Sequence, residues 1–195
     1  MSIAVRSLCG QELRAALGDL ARLRIEVFAA FPYLYAGSAD YEREYLAEFT
    51  AAPDAVLVAA FDADRIVGAA TASPLAGQED YVRAPFERAG IDPAPVFYFG
   101  ESVLLPAYRG QGIGHAFFDQ REAAARAWGA SQASFCAVVR PADHPARPVG
   151  YTPLDTFWRK RGYAPVPGLT GEFSWADHGE GQESAKPMQY WMREL

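Results

Sequence analysis

Apolar residues along this chain recur with helical spacing in some segments and with strand-like density in others. Residues 11–29 carry leucines at helical spacing from Leu13 to Leu23, which predicts an amphipathic helix with Gly18 as an internal weak point. Asp40 precedes a second amphipathic segment and is suited to cap it. Further predicted elements are strands over 2–8, 55–61 and 65–72, helices over 41–49 and 154–162, and a terminal hairpin of 171–175 with 188–195.

The middle of the chain contains a strand–helix–strand unit. Residues 96–105 predict a long strand, residues 112–128 a helix, and residues 133–139 a second strand. Because such crossovers are right-handed and join parallel neighbours, the two strands are expected side by side with the helix on one face. The fold class predicted is therefore a mixed α/β sheet flanked by helices. The inward face of the helix is expected to hold Phe117, Phe118, Ala124 or Ala125, and Trp128.

Composition narrows the class of protein further. The 195 residues are 50% hydrophobic, which is ample for a core without disulfide or metal, so Cys9 and Cys136 are expected as reduced thiols. The net charge of -6 argues against nucleic acid as a partner, and the basic run 159–161 is too short to overcome it. The chain has neither a membrane-spanning apolar run nor a signal-peptide pattern at its start, so we expect a cytoplasmic protein without membrane contacts.

A glycine-rich turn links the long strand to the helix of the crossover unit. Pro106 stops strand pairing, and Arg109-Gly110-Gln111-Gly112-Ile113-Gly114 then opens the helix. The first N–H groups of a helix have no internal partner and form an anion site, which glycines leave accessible. His115 stands where the dinucleotide fingerprint needs its third glycine, and no Gly-Lys-Ser/Thr follows. The motif predicts a phosphate-bearing ligand of another class.

The pattern Arg-x-x-Gly-x-Gly, after a strand and a proline and before a helix, resembles the pyrophosphate loop of the N-acetyltransferase (GNAT) family. Residues 156–163, Thr-Phe-Trp-Arg-Lys-Arg-Gly-Tyr, also resemble a segment of that family, and the order of elements is similar across nearly the whole chain. The resemblance implies one domain over 1–195, a mostly antiparallel central sheet with a splayed parallel strand pair, and acetyl-CoA as the acyl donor.

The same resemblance places the cofactor. It implies that the pantetheine arm pairs with backbone groups of Val103, Leu104 and Leu105, where the two parallel strands splay apart. It further implies that the pyrophosphate lies on the backbone amides of Arg109, Gly110, Gln111, Gly112, Ile113 and Gly114.

Direct transfer of an acetyl group to an amine needs a group that removes a proton from the incoming ammonium. Glu101, in the middle of an apolar strand, is the candidate base, directly or through water; the alternative is a carboxylate that only satisfies neighbouring polar groups. Trp158 stands where the family usually has a tyrosine that protonates the thiolate, and an indole N–H is a poor acid. Tyr151 is the candidate acid, with Tyr163, Tyr98 and solvent as alternatives.

Other chemistries are less well supported by the residues. Cys136 could form an acyl-enzyme, but a buried cysteine is more often an inert small hydrophobe. The histidines His115, His144 and His178 lack the spacing of metal ligands, so no metal is expected.

In the GNAT fold the loop between the first helices and the loop after the second crossover strand border the acceptor. Here these are residues 31–35, with Tyr33 and Tyr35 as candidate acceptor-binding residues, and residues 140–153. Segment 73–95, which contains a candidate short helix near Phe86, could add a lid. Aromatic faces attract cationic amines, although these rings could equally pack the loops. The acceptor is expected to be a small-molecule or protein amine.

Two other functions stay open from the sequence. One is a CoA-binding module without turnover, and the other is transfer from a different acyl-CoA, for which Arg83, Arg140 or Arg147 would recognise an acidic acyl group. The apolar end of the chain, residues 187–195, could pair across a homodimer or complete its own sheet.

Overall fold

The computed structural model describes residues 3–195, without the side chains of Glu48 and Ala51. Residue 2, the first of the predicted N-terminal strand, lies outside this range. The strands are β1 (Ala4–Leu8), β2 (Val56–Asp62), β3 (Arg65–Pro74), β4 (Val96–Leu104), β5 (Gln132–Val138), β6 (Ala164–Trp175) and β7 (Ser184–Glu194). The helices are α1 (Gly10–Ala15), α2 (Leu17–Phe28), α3 (Ala39–Ala51), α4 (Asp80–Arg88), α5 (Ile113–Trp128) and α6 (Asp155–Lys160).

The seven strands form one sheet in the order β1-β2-β3-β4-β5-β7-β6. Every neighbouring pair is antiparallel except β4 and β5, which are parallel and joined by α5. This confirms the predicted class: a mixed, mostly antiparallel sheet flanked by helices, with one parallel pair at its centre.

The parallel pair separates soon after it forms. β4 and β5 are in register only from Val96 opposite Gln132 to Tyr98 opposite Ser134. Just beyond, the register between β3 and β4 shifts, so that Gly100 and Glu101 together oppose the single residue Thr71. An extra residue of this kind bends its strand and increases the local twist. The sheet therefore opens into a cleft between β4 and β5 on the far side of this bulge.

Helix α5 packs on one face of the sheet through the side chains that the sequence indicated. Phe117, Phe118 and Ala125 are buried, as predicted. Trp128 is an exception, since 39% of it is exposed and its indole N–H donates to Asp54. The helix ends at Gly129 directly after Trp128, so the ring lies at the rim of the sheet where the core stops.

The first predicted helix differs from the structure, whereas two other segments agree with an expectation. The helix expected over 11–29 is divided at Ala16 into α1 and α2, and Gly18 lies within α2. Segment 73–95 contains α4, which confirms the short helix expected near Phe86 and packs on β6. The terminal strand β7 lies between β5 and β6 and pairs with both, so it completes the sheet of its own chain, which is one of the two alternatives raised for it.

Candidate active site

The glycine-rich turn presents open backbone at the start of α5. Gly110 and Gly112 adopt left-handed φ angles of 78° and 83°, which side chains other than glycine adopt only with strain. A Cβ atom added at either position would meet no atom within 4 Å. The turn thus has empty space above it, and its shape depends on glycine for backbone reasons alone.

The amides of this turn are unpaired within the part of the chain that the structure describes. No N–H group from Gly110 to His115 donates a hydrogen bond there, whereas the Arg109 N–H donates to the Pro106 carbonyl at 3.2 Å. The first backbone hydrogen bond of the new helix runs from the Ala116 N–H to the Gly112 carbonyl. Five of the six amides predicted for the pyrophosphate are therefore open, Arg109 is already engaged, and His115 adds one that the sequence analysis missed.

The cleft exposes only part of the predicted pantetheine-binding backbone. The Leu105 N–H donates to the Val67 carbonyl of β3, and because backbone groups alternate between the two edges of a strand, Val103 also faces β3. Leu104 then has its N–H and C=O on the open side, where its carbonyl accepts from the Arg109 side chain at 3.3 Å. Ser102, which the sequence analysis did not single out, faces the cleft by the same alternation.

Glu101 lies at the bulge of β4 with its side chain only 3% exposed. Its Oε2 accepts from the Tyr45 hydroxyl at 2.7 Å and from Arg24 Nη1 at 2.8 Å. Its Oε1 is buried and has no hydrogen-bond partner. One oxygen is thus fixed by two donors while the other has no partner among the described residues, which is an arrangement suited to a carboxylate held in place to accept a proton.

The residue before Glu101 explains why no second carboxylate accompanies it. A Cβ at Gly100 would lie 2.5 Å from the hydroxyl oxygen of Thr71, which in turn accepts from the Glu101 N–H. Any side chain at position 100 would displace this contact. The bulge therefore carries one acidic side chain and requires glycine beside it.

Arg24 is a site residue that the sequence analysis missed. It bridges Glu101 and Glu42, and the Glu42 side chain is fully buried and also accepts from the Tyr35 hydroxyl. Burial alone would lower the pKa of Arg24, but the nearby Glu101 and Glu42 carboxylates outweigh it and raise the pKa above its usual value. The guanidinium therefore stays charged and fixes both carboxylates. We call Glu42, Arg24 and Glu101 the buried charge triad.

A cavity of about 490 Å³ opens beside Glu101. Its volume is in the range of small-molecule sites. The lining includes nine aromatic side chains, namely Phe28, Tyr33, Tyr35, Tyr41, Tyr45, Tyr81, Tyr98, Phe173 and Trp175. The charged residues in the lining are Arg24, Glu44, Glu101, Glu172 and Glu183.

Tyr33 and Tyr35, the two predicted acceptor-binding residues, both line this cavity. The loop that carries them is anchored to the far end of the sheet: the Trp175 indole N–H donates to the Tyr33 carbonyl, and Tyr35 bridges to Asp177. Arg140 reinforces the contact by donating to the Tyr33 carbonyl and pairing with Asp177. The aromatic wall is thus held from β6 and from the loop after β5.

Tyr151, the predicted general acid, does not line the cavity that contains Glu101. Its ring packs edge-on against Phe31 with centroids 4.8 Å apart, and the Arg147 guanidinium lies over it. Trp158 contacts Phe135 and Trp191 and is a packing residue. Of the alternatives raised from the sequence, Tyr98 is the hydroxyl that lines the cavity.

Tyr98 lies at the last paired position before the strands separate, and its hydroxyl is 3.1 Å from the Cys136 sulfur. Burial raises the pKa of Tyr98 well above its usual value, and the neighbouring Cys136 adds to the effect. Burial likewise raises the pKa of the Cys136 thiol to about 12. Both groups are therefore protonated at neutral pH, and the thiol is unsuited to form an acyl-enzyme.

We expect the two cysteines to differ sharply in alkylation at pH 8. Cys9 is exposed, whereas Cys136 is a protonated thiol beside Tyr98, so iodoacetamide should label Cys9 at least about tenfold faster. Mass spectrometry of peptides from the folded protein measures both rates, with urea-unfolded protein as the control in which the rates converge. Labelling of Cys136 as fast as Cys9 in the folded protein would contradict the assignment.

Residues 3–195 contain neither a metal-binding cluster nor a helix that could span a membrane. No group of three or more histidine, cysteine, aspartate or glutamate side chains has the geometry to hold a metal ion there. Within the same range, each helix is too short or too polar to cross a bilayer.

The sequence of the chain matches the model of a known family. The sequence model of the acetyltransferase (GNAT) family matches residues 21–150, about two thirds of the chain, including the bulge and the glycine-rich turn. The chain belongs to the GNAT family. A comparison with curated protein sequences finds no match.

Solved GNAT structures share the fold at low sequence identity. A PaiA N-acetyltransferase from Thermoplasma acidophilum, solved in complex with coenzyme A, is 15% identical with a TM-score of 0.58 over 100% of both chains. A ribosomal-protein-alanine N-acetyltransferase from Brucella melitensis is 13% identical with a TM-score of 0.61, covering 98% of this chain and 99% of the other. A GCN5-related N-acetyltransferase from Kribbella flavida is 18% identical with a TM-score of 0.56, covering 99% and 98%. These likenesses show the GNAT fold.

Proposed function

We propose that residues 1–195 act as one acetyl-CoA-dependent N-acetyltransferase domain that transfers the acetyl group directly to an amine. The observation that carries the proposal is the position of the open cleft between β4 and β5: the unpaired amides from Gly110 to His115 lie beyond one end, and the cavity with Glu101 opens beside the bulge. A thioester whose phosphates lay on the turn would reach the bulge along the exposed backbone of Ser102 and Leu104.

The chemistry follows from the groups in place. Glu101 Oε1 accepts a proton from the ammonium form of the acceptor, directly or through water, while Arg24 and Tyr45 hold the other oxygen. The neutral amine then attacks the thioester carbonyl carbon, the new C–N bond forms, and the C–S bond breaks. Tyr98 is positioned at the separation of the strands to donate a proton to the departing thiolate, and it takes over the role expected of Tyr151.

A different acyl donor is less well supported. Arg83 pairs with Asp80 and Glu87, and Arg140 pairs with Asp177, so both guanidiniums are already neutralised by carboxylates. Arg147 lies over the Phe31 and Tyr151 rings and does not line the cavity. An acidic acyl group would therefore meet no unpaired cation among the lining residues.

Calorimetric titration with acetyl-CoA, followed by a thiol-release assay with amines, tests the proposal. We expect binding by the wild-type protein, and at least a tenfold loss of affinity in Gly112→Trp because the ring would occupy the space over the open amides. Gly129→Trp is the matched control, since Gly129 ends the same helix with a φ of 98° and equally open surroundings.

The titration and the thiol-release assay together distinguish an enzyme from a CoA-binding module without turnover. Equal loss of affinity in both variants would show strain in α5 and no cofactor contact at the turn. Binding without thiol release for any amine would favour a CoA-binding module without turnover over an enzyme.

A further inference from the structure

The cavity beside Glu101 has a charge pattern that runs from its floor to its mouth. Glu101 is almost fully buried, with one oxygen unpartnered, whereas Glu44, Glu172 and Glu183 are exposed. These three come from α3, from β6 and from the residue that precedes β7; all of them line the same cavity, and their exposure places them on its solvent side. None of them forms an ion pair with another side chain between residues 3 and 195.

Arg24, the one cation among the described residues of the lining, does not cancel this charge. Arg24 is bound by Glu42 and Glu101 together, so the buried charge triad carries a net negative charge. Its guanidinium is also covered by the Tyr45 ring, at 3.9 Å from the ring centroid, and by the Phe28 ring. An incoming cation would therefore meet a negative floor and a negative mouth, separated by aromatic walls.

This pattern selects among amines. A small monoamine would use the floor alone and leave three carboxylates at the mouth without a partner. A compound with an anionic end would be repelled there. An elongated molecule with a positive charge at each end would satisfy both positions, and its methylene chain would lie against the aromatic side chains.

We propose that the acceptor is an elongated amine with a second positive charge, whose reacting end lies at Glu101 and whose far cation lies among Glu44, Glu172 and Glu183. This inference rests on the proposed function, since it assigns the substrate class of the same cavity. Each exposed carboxylate contributes a modest, salt-sensitive attraction, and three together amount to roughly a tenfold preference.

Three acceptors of equal chain length test the assignment: a six-carbon diamine, the six-carbon monoamine, and the six-carbon amino acid with its carboxylate at the far end. We expect kcat/KM to be roughly tenfold higher for the diamine than for the monoamine, with the amino acid lowest. The advantage should shrink as sodium chloride is raised, because the mouth is exposed.

A charge-matched pair of variants locates the effect. Combining Glu44→Gln, Glu172→Gln and Glu183→Gln should bring the diamine-to-monoamine ratio close to one. Combining Glu12→Gln, Glu26→Gln and Glu194→Gln changes the net charge equally at exposed carboxylates outside the cavity and should preserve the ratio. Loss of the ratio in both would indicate a long-range effect of net charge and overturn the assignment.

A measurement of amine binding tests the proposed substrate class independently of the proposed enzymatic activity. Thermal shift with the diamine and with the monoamine is measured in parallel and needs no turnover. Preferential binding of the diamine without acetylation would support the cavity assignment and contradict the enzyme. Acetylation of both amines at equal kcat/KM, with equal binding, would overturn the substrate class and leave the enzyme intact.

Discussion

Replacing Glu101 by glutamine is expected to lower kcat by at least about a hundredfold while leaving the affinity for acetyl-CoA unchanged. The amide keeps the size of the side chain, but its nitrogen is not a base and it carries no charge. The unpaired Oε1 is the atom that would lose its role, because Oε2 is already engaged by Arg24 and Tyr45. Steady-state kinetics with a saturating amine, together with calorimetric titration of acetyl-CoA, provide the two readouts.

Glu42→Gln is the matched control for this prediction. Glu42 is fully buried and pairs with the same guanidinium, but it does not line the cavity. A loss of rate that arose only from disturbing the charge triad would appear equally in both variants. If Glu42→Gln slows turnover as much as Glu101→Gln, or if Glu101→Gln retains the wild-type kcat, Glu101 has a structural role only.

Replacing Arg24 by methionine is expected to lower the free energy of unfolding by about 3–5 kcal/mol. The guanidinium is the shared partner of two carboxylates, and without it Glu42 and Glu101 would stay buried next to each other with their charges uncompensated. Urea unfolding followed by circular dichroism measures the change, because the midpoint and the slope together give the free energy.

Arg22→Met, two residues earlier on the same helix, provides the comparison. Arg22 pairs with Asp19 and Glu26, which are 42% and 52% exposed, so its ion pairs are expected to contribute at most about 1 kcal/mol. A loss in Arg24→Met no larger than in Arg22→Met would show that the buried charge triad does not stabilise the fold.

The elements with strong local signals could be predicted from the sequence. The glycines before α5, the apolar run of β4 and the amphipathic face with Phe117 and Phe118 led to the crossover unit, and the structure has it. Local signals failed where packing decided the outcome. The sequence has no helix-breaking residue at Ala16, where the helix is divided, whereas Gly18, the weak point that the sequence indicated, lies inside α2. The aromatic residue Trp128 is exposed because the sheet ends beside it.

In the candidate site, too, some residues could be predicted from local sequence and others only from the fold. Glu101 stood out because a single carboxylate in an apolar strand is unusual, but nothing local showed which of its oxygens is open. Arg24 gave no sign of a chemical role, since helical spacing indicates only that Leu23 or Arg24 lies on the inward face of the helix. Its role depends on Glu42 and Glu101, which lie 18 and 77 residues away in the chain and are joined only by the fold.

The sequence by itself determined the order of elements, the phosphate-type turn at Arg109–Gly114 and the family resemblance, because glycine conformation and apolar spacing act over a few neighbouring residues. Tertiary structure alone decided the separation of β4 from β5, the pairing of Arg24 with two buried carboxylates, and the presence of Glu44, Glu172 and Glu183 in the lining of one cavity. Those features depend on contacts between segments distant in sequence, and their energies are set by burial, which exists only once the chain has folded.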